Sequence, residues 1–147
     1  MKSILSIVSH IASTSHYTLR NFFDKLREMT LSNPRFSAFE RLRQAAVNHP
    51  PLRQNETGEC VAAIQQALLD LGATMPRSTK NGTAMPDGIF GTETATKIKE
   101  FQIVNELVPD GIVGRQTLAQ IELLIDRIHS ASEQATRFEL LKNKSAG

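Results

Sequence analysis

Residues 85–124 read MPDGIFGTETATKIKEFQIVNELVPDGIVGRQTLAQIELL and state one pattern twice. Pro86-Asp87-Gly88-Ile89-x-Gly91-x-x-Thr94 returns 23 residues later as Pro109-Asp110-Gly111-Ile112-x-Gly114-x-x-Thr117. Each copy can be read residue by residue. Asp-Gly is a turn signal: the carboxylate accepts nearby backbone N–H groups and glycine takes positive φ. The next two residues, Ile89-Phe90 and Ile112-Val113, supply apolar anchors. Gly91 and Gly114 lack a side chain, so another group can approach the backbone closely. Thr94 and Thr117 fall in the first turn of a helix, where a hydroxyl can satisfy an orphan backbone group.

Working outward, Ala95, Ile98 and Phe101 recur at helical spacing after the first copy, and Leu118, Ile121, Ile125 and Ile128 after the second. The second stripe carries on through Ala135 and Phe138 toward Leu141, giving one long helix or a break near Ser130-Ala131-Ser132. Upstream, Val61, Ile64, Leu68 and Leu71 form the stripe of another helix, with Thr57 at its N-cap and Gly72 as its C-terminal stop. Val61-x-x-Ile64-Gln65 echoes Ile98-x-x-Phe101-Gln102 at an offset of 37. The unit is a helix with a buried stripe and a glutamine, and the units join through Asp-Gly turns. Residues 73–86 have no periodicity, two prolines and an Asn-Gly, and read as a loop long enough to be a functional surface.

Before this region, Leu19, Phe22, Phe23, Leu26 and Met29 make one apolar helical face. Ser32-Asn33-Pro34 breaks the chain and starts a second helix, with Phe36, Phe39, Leu42 and Ala46 on one side. Residues 17–49 thus read as a helical hairpin ended by His49-Pro50-Pro51. The expected organisation is a leader over 1–16, the hairpin over 17–49, a three-helix bundle over 50–129 and a helical tail over 130–147. The fold class is all-α.

The chain has 147 residues, 40% apolar and 22% charged, an ordinary globular composition. It has no Trp, one Tyr and one cysteine, so aromatic sugar platforms are scarce and an internal disulfide is excluded. No apolar run approaches the roughly 20 residues of a membrane span. The opening MKSILSIVSHIASTSH outlines a secretory signal, but Ser6, Ser9 and His10 cut its apolar run and no cleavage site follows. It reads better as a frayed or helical leader. Net charge is +2, split as +5 over residues 1–55 and −3 over 56–147. The bases are spaced along amphipathic patterns without clustering, and no helix-turn-helix spacing appears, so a nucleic-acid partner is not expected.

The ordered series resembles the peptidoglycan-binding-like domain, the small three-helix module appended to bacterial cell-wall hydrolases. The resemblance runs from Leu52 to Leu124, about half the chain. Its residues are Val61, Ile64 and Gln65; Asp87, Gly88, Phe90, Gly91 and Thr94; Ile98, Phe101 and Gln102; Leu107; and Asp110, Gly111, Val113, Gly114 and Thr117. The 73–86 loop is longer than the family usually carries. The resemblance implies a peptidoglycan partner, and such modules usually come fused to a catalytic domain. Without one, the chain would act as an adaptor beside a hydrolase, or in a phage or phage-tail-like particle, at the cell envelope or in a released particle. The alternative is a structural adaptor that keeps the fold and binds a protein instead.

Candidate ligand-binding residues are Arg77 and Lys80 on the long loop, which suit carboxylates of a peptide stem, with Asp87, Gln65 and Gln102. Each glutamine either caps backbone at a corner or lines a shallow groove. No catalytic set stands out: the acids are dispersed, and the four histidines show no metal-site spacing. Cys60 opens a helix with no evident histidine partner and reads as an inert thiol. No cofactor, no metal and no enzymatic activity are expected.

Overall fold

A computed structural model describes residues 30–80, 83 and 85–145. The leader and the first helix of the expected hairpin lie outside the described residues. Among the described residues there are five helices: α1 Pro34–Ser37, α2 Glu40–Ala46, α3 Glu59–Asp70, α4 Thr92–Val104 and α5 Arg115–Ser145. Among the described residues there is no strand, only isolated antiparallel bridges at Leu52–Val113, Thr57–Ile89 and Thr79–Pro86. The protein is all-α.

The repeated stripes build one core. Val61, Ile64 and Leu68 of α3, Ile98 and Phe101 of α4, and Leu118, Ile121 and Ile125 of α5 are fully or almost fully buried. The anchors Phe90 and Val113 drop into the same core with no exposed surface. Gly72 takes φ 94 just past the end of α3, the left-handed stop that the sequence announces. Thr57 is not the cap of α3. The N-cap is Gly58, at φ 129, and its N–H is spent on the carbonyl of Gly88 at 2.9 Å. The chain kinks at a residue that only glycine fills easily, and Thr57 is held in the bridge to Ile89.

Residues 30–48 join this core. Phe36, Leu42 and Ala45 are fully buried, and α2 packs on α5. Pro34 sits at the start of α1, as the sequence leads one to expect, and Asn33 caps it. The single helix expected from Pro34 to Ala46 is instead two short ones. Phe39 turns extended (φ −98, ψ 116) between them, which lets Phe36 and Leu42 reach the core from separate turns. Buried Glu122 of α5 accepts the backbone N–H groups of Ser32 at 2.6 Å and Asn33 at 2.5 Å. Arg41 clamps the other end: its guanidinium holds both oxygens of Glu56 at 2.7 Å and the carbonyls of Pro50 and Pro51.

The helix after the second corner does not break at Ser130-Ala131-Ser132. α5 runs 31 residues, and from His129 to Lys144 every residue is exposed. No described helix is long and apolar enough to cross a membrane.

Candidate functional site

The two Asp-Gly corners superimpose in chemistry bond for bond. At the first, the Gln65 amide nitrogen donates to Asp87 Oδ1 (2.8 Å) and the Ile89 carbonyl (2.9 Å), and lies 3.1 Å from Thr94 Oγ1. Its amide oxygen accepts the Gly88 N–H at 2.9 Å. Asp87 Oδ1 also accepts the Ile89 N–H at 2.8 Å. At the second corner Gln102 donates to Asp110 Oδ1 (2.8 Å) and the Ile112 carbonyl (2.9 Å), lies 3.1 Å from Thr117 Oγ1, and accepts from Gly111 N–H (2.9 Å). Asp110 Oδ1 accepts the Ile112 N–H at 2.8 Å.

Physical chemistry explains why a glutamine stands there. The turn needs an acceptor for one backbone N–H and donors for a carboxylate and a carbonyl, all from one short side chain. A primary amide supplies both kinds of group, and only one orientation of it satisfies Gly88 and Asp87 together. Gln65 is fully buried and Gln102 is 1% exposed, so every polar atom of these side chains is committed to the corner. Gly88 and Gly111 take φ 73 and φ 75, which explains the glycine in each Asp-Gly pair.

Beside each corner lies a shallow cleft. The first, about 490 Å³, is lined by Arg77, Ser78, Asp87, Ile89, Gly91, Thr92, Glu93, Thr96 and Lys97. The second, about 530 Å³, includes Gln102, Asp110, Ile112, Gly114 and Arg115, with Asn48 and Pro51. The corners differ at their second glycine. Asn48, at φ 59, caps α5 by accepting the Arg115 N–H at 2.8 Å, and a Cβ on Gly114 would lie 2.5 Å from its side-chain oxygen. At Gly91 a Cβ would meet nothing within 4 Å. The close approach that both glycines permit is therefore used by the chain itself at the second corner and open at the first.

The long loop is pinned over the first cleft. Met75 and Ser78 are buried, Ser78 accepts the Asp87 N–H at 2.9 Å, and Arg77 N–H donates to Glu93 at 2.9 Å. This brings Arg77 and Asp87, two of the candidate residues, to one cleft, with Gln65 supporting it from inside. Both Arg77 and Lys80 are exposed and neither has a side-chain ion pair among the described residues. Lys80 is not among the cleft's lining residues. Gln102 belongs to the second corner, away from the loop. Glu93, Thr96 and Lys97 complete the first cleft, and the sequence reading missed them. They lie on the exposed side of α4, where the apolar stripe says only that they face away from the core. Among the described residues no three acidic, histidine or cysteine side chains cluster as a metal site would require. Cys60 is half-buried.

Comparison with known proteins follows the same residues. The family described as "Putative peptidoglycan binding domain" matches residues 57–121. An uncharacterised protein of Kitasatospora aureofaciens, encoded in the bpoA1 3′ region, is 34% identical over 77 residues, 52% of this chain and 59% of that one. The N-acetylmuramoyl-L-alanine amidase CwlM of Mycobacterium tuberculosis is 34% identical over 88 residues, 60% of this chain and 20% of the amidase. The N-acetylmuramoyl-L-alanine amidase CwlL of Bacillus licheniformis is 37% identical over 68 residues, 46% of this chain and 18% of the amidase. The chain thus spans less than two thirds of the length of each of these relatives. No solved structure matches it. Residues 57–121, with both Asp-Gly corners and the helices they join, match the model of the family described as a putative peptidoglycan binding domain.

Proposed function

We propose that this chain is a non-catalytic module that holds itself, or a protein joined to it, on peptidoglycan, and that the first corner takes the ligand. The family match and the amidase relatives support the polymer. The observation that carries the site is the contrast between the glycines: Asn48 fills the approach to Gly114, and nothing fills the approach to Gly91. Arg77 at that cleft suits a stem-peptide carboxylate, since a guanidinium binds carboxylates through two parallel hydrogen bonds. Asp87 and Glu93 on the opposite sign suit a stem-peptide amine. Lys80 stands at the edge as a further cation. Gln65 and Gln102 act by holding the corners rigid, not by touching ligand. Binding without chemistry follows from the sequence, in which no acid, base or nucleophile set is arranged. A phage or phage-tail-like particle remains part of this proposal as a setting in which a wall-binding chain would work apart from a hydrolase.

The test is co-sedimentation of the full-length protein with insoluble peptidoglycan. The protein should pellet with the polymer and release no soluble fragments. Combined Arg77→Ala and Lys80→Ala should cut the pelleted fraction several-fold, while unchanged retention moves the site toward the second corner. Exposed charges are screened within about 8 Å at physiological salt, so loss of all binding on adding salt would assign it to the +5 segment of residues 1–55 instead. No sedimentation at low salt defeats the wall-binding reading and leaves the protein-binding adaptor in its place.

A further inference from the structure

We propose that the first cleft takes the free end of a diamino acid in the stem peptide, its ammonium and a carboxylate together, so that the chain distinguishes stems that have not been cross-linked from those that have. This rests on the wall-binding reading above and names the ligand of that same cleft.

The second corner indicates the kind of atom that the first one takes. At the offset of 23 residues, Gly91, Thr92 and Glu93 correspond to Gly114, Arg115 and Gln116. At the second corner an oxygen lies over the glycine. It is Asn48 Oδ1, which accepts the Arg115 N–H at 2.8 Å and is the atom that a Cβ on Gly114 would meet. At the first corner α4 starts from Gly91 with no side chain capping it, and the space over Gly91 is open. Among the described residues the Thr92 N–H has no acceptor. A ligand oxygen on that N–H repeats the bond that Asn48 makes at the second corner. The positive end of α4 and the guanidinium of Arg77 in the same cleft favour a carboxylate there over a neutral oxygen.

Charge supplies the other half of the ligand. Two backbone bonds gather three charged residues around the cleft: Arg77 N–H donates to Glu93 Oε2 at 2.9 Å, and Asp87 N–H donates to the Ser78 carbonyl at 2.9 Å. Asp87 holds its corner through Oδ1, and Glu93 holds the loop through Oε2. Among the described residues Asp87 Oδ2 and Glu93 Oε1 have no hydrogen-bond partner, and the Arg77 guanidinium pairs with neither carboxylate. Lys97 does not neutralise them, because it pairs with Glu100 at 2.8 Å. An ammonium has three donors and a full charge, which suits two carboxylate oxygens at once. The second corner has Gln116 where the first has Glu93, so it lacks the pair. An amine acylated in a cross-link keeps one N–H and no charge, and serves neither carboxylate as a cation.

The test is co-sedimentation of the full-length protein with three forms of one insoluble peptidoglycan whose stems carry such a diamino acid: untreated, N-acetylated with acetic anhydride, and amidated at its carboxylates with ammonia and a carbodiimide. Each treatment should cut the pelleted fraction several-fold. Glu93→Gln keeps an acceptor for the Arg77 N–H and makes the first corner resemble the second. It should lower binding to the untreated polymer and leave binding to the acetylated polymer as in the parent. Gly91→Asn stands at φ −87, which asparagine adopts without strain, and sets an oxygen of the chain's own at the start of α4. It should melt no lower than the parent and lose binding. Equal pelleting of the parent with untreated and acetylated polymer would leave wall binding in place and overturn the free-amine ligand. Equal retention of Gly91→Asn and the parent would overturn the carboxylate seat over Gly91. A parent that pellets with none of the three forms defeats the wall-binding reading itself, and this ligand with it.

Discussion

One primary amide organises each Asp-Gly corner. Replacing Gln65 or Gln102 by Ala strips partners from a buried glycine N–H and from a carboxylate already engaged with backbone. Each loss should destabilise by about 2–4 kcal/mol, since buried groups left without partners carry their full desolvation cost. Thermal melts that match the unaltered protein would refute the role. The two corner glycines separate in the same assay. Gly114→Ala places a methyl against Asn48 and should cost about 1–3 kcal/mol as overpacking. Gly91→Ala meets open space at φ −87 and should melt like the parent within error. What could be read from the sequence at this scale was local. Asp-Gly, the anchor and the threonine lie within eight residues, so their turn chemistry is visible. The place of Gln65 at the corner was visible only as one of two readings. Asn48 was not visible at all, because the N–H it caps lies 67 residues away and an exposed asparagine just past a helix end looks like any loop residue.

At the scale of elements, periodicity located α3, α4 and the buried part of α5, because each stripe faces one core. It did not locate the break between α1 and α2. Phe36, Phe39 and Leu42 keep helical spacing across it, and the extended turn at Phe39 is imposed by packing rather than by any breaker residue. The clamp of these helices onto the bundle was likewise hidden, since Arg41 and Glu56 read as ordinary surface charges. Partial burial pushes the Glu56 carboxyl up, but hydrogen bonds from Arg41 and the Arg53 N–H, together with the charges of both arginines, outweigh it and hold the carboxyl below its usual 4.5. A carboxyl with a depressed folded pKa adds stability above its unfolded pKa, and that stability is lost as pH falls through the folded value. The Arg41–Glu56 pair should therefore contribute about 1 kcal/mol at neutral pH, fading below the usual 4.5. Arg41→Ala should lower the melting temperature at pH 7, and the gap from the parent should narrow as pH drops toward 3. A gap that widens in acid would show the clamp to work by packing alone.

For the whole molecule, the question is how far the stable body extends beyond residues 57–121. The sequence places a boundary at Pro50-Pro51 with the helices before it packed on the bundle as an extension, and the core includes groups from before that boundary. Phe36 and Leu42 are fully buried, and each contributes on the order of 1.5–3 kcal/mol by leaving water. Leu52 adds a further buried side chain and exchanges backbone hydrogen bonds with Val113 at 2.8 and 2.9 Å. Removing residues 1–49 would uncover the faces of α3 and α5 that α1 and α2 cover. At roughly 4–8 °C per kcal/mol for a domain of this size, a chain beginning at Pro50 should melt at least about 10 °C lower than the full chain. The opposite end predicts the reverse. Described residues beyond His129 make no part of the core, so a chain ending at Ile128 should keep the melting temperature of the full chain. Equal stability of the full chain and the chain beginning at Pro50 would show the preceding helices to be a separate unit resting on the bundle. The same comparison governs how wall binding must be measured. A fragment that has lost Phe36 and Leu42 can fail to sediment because it has unfolded, so binding and melting have to be recorded on the same sample.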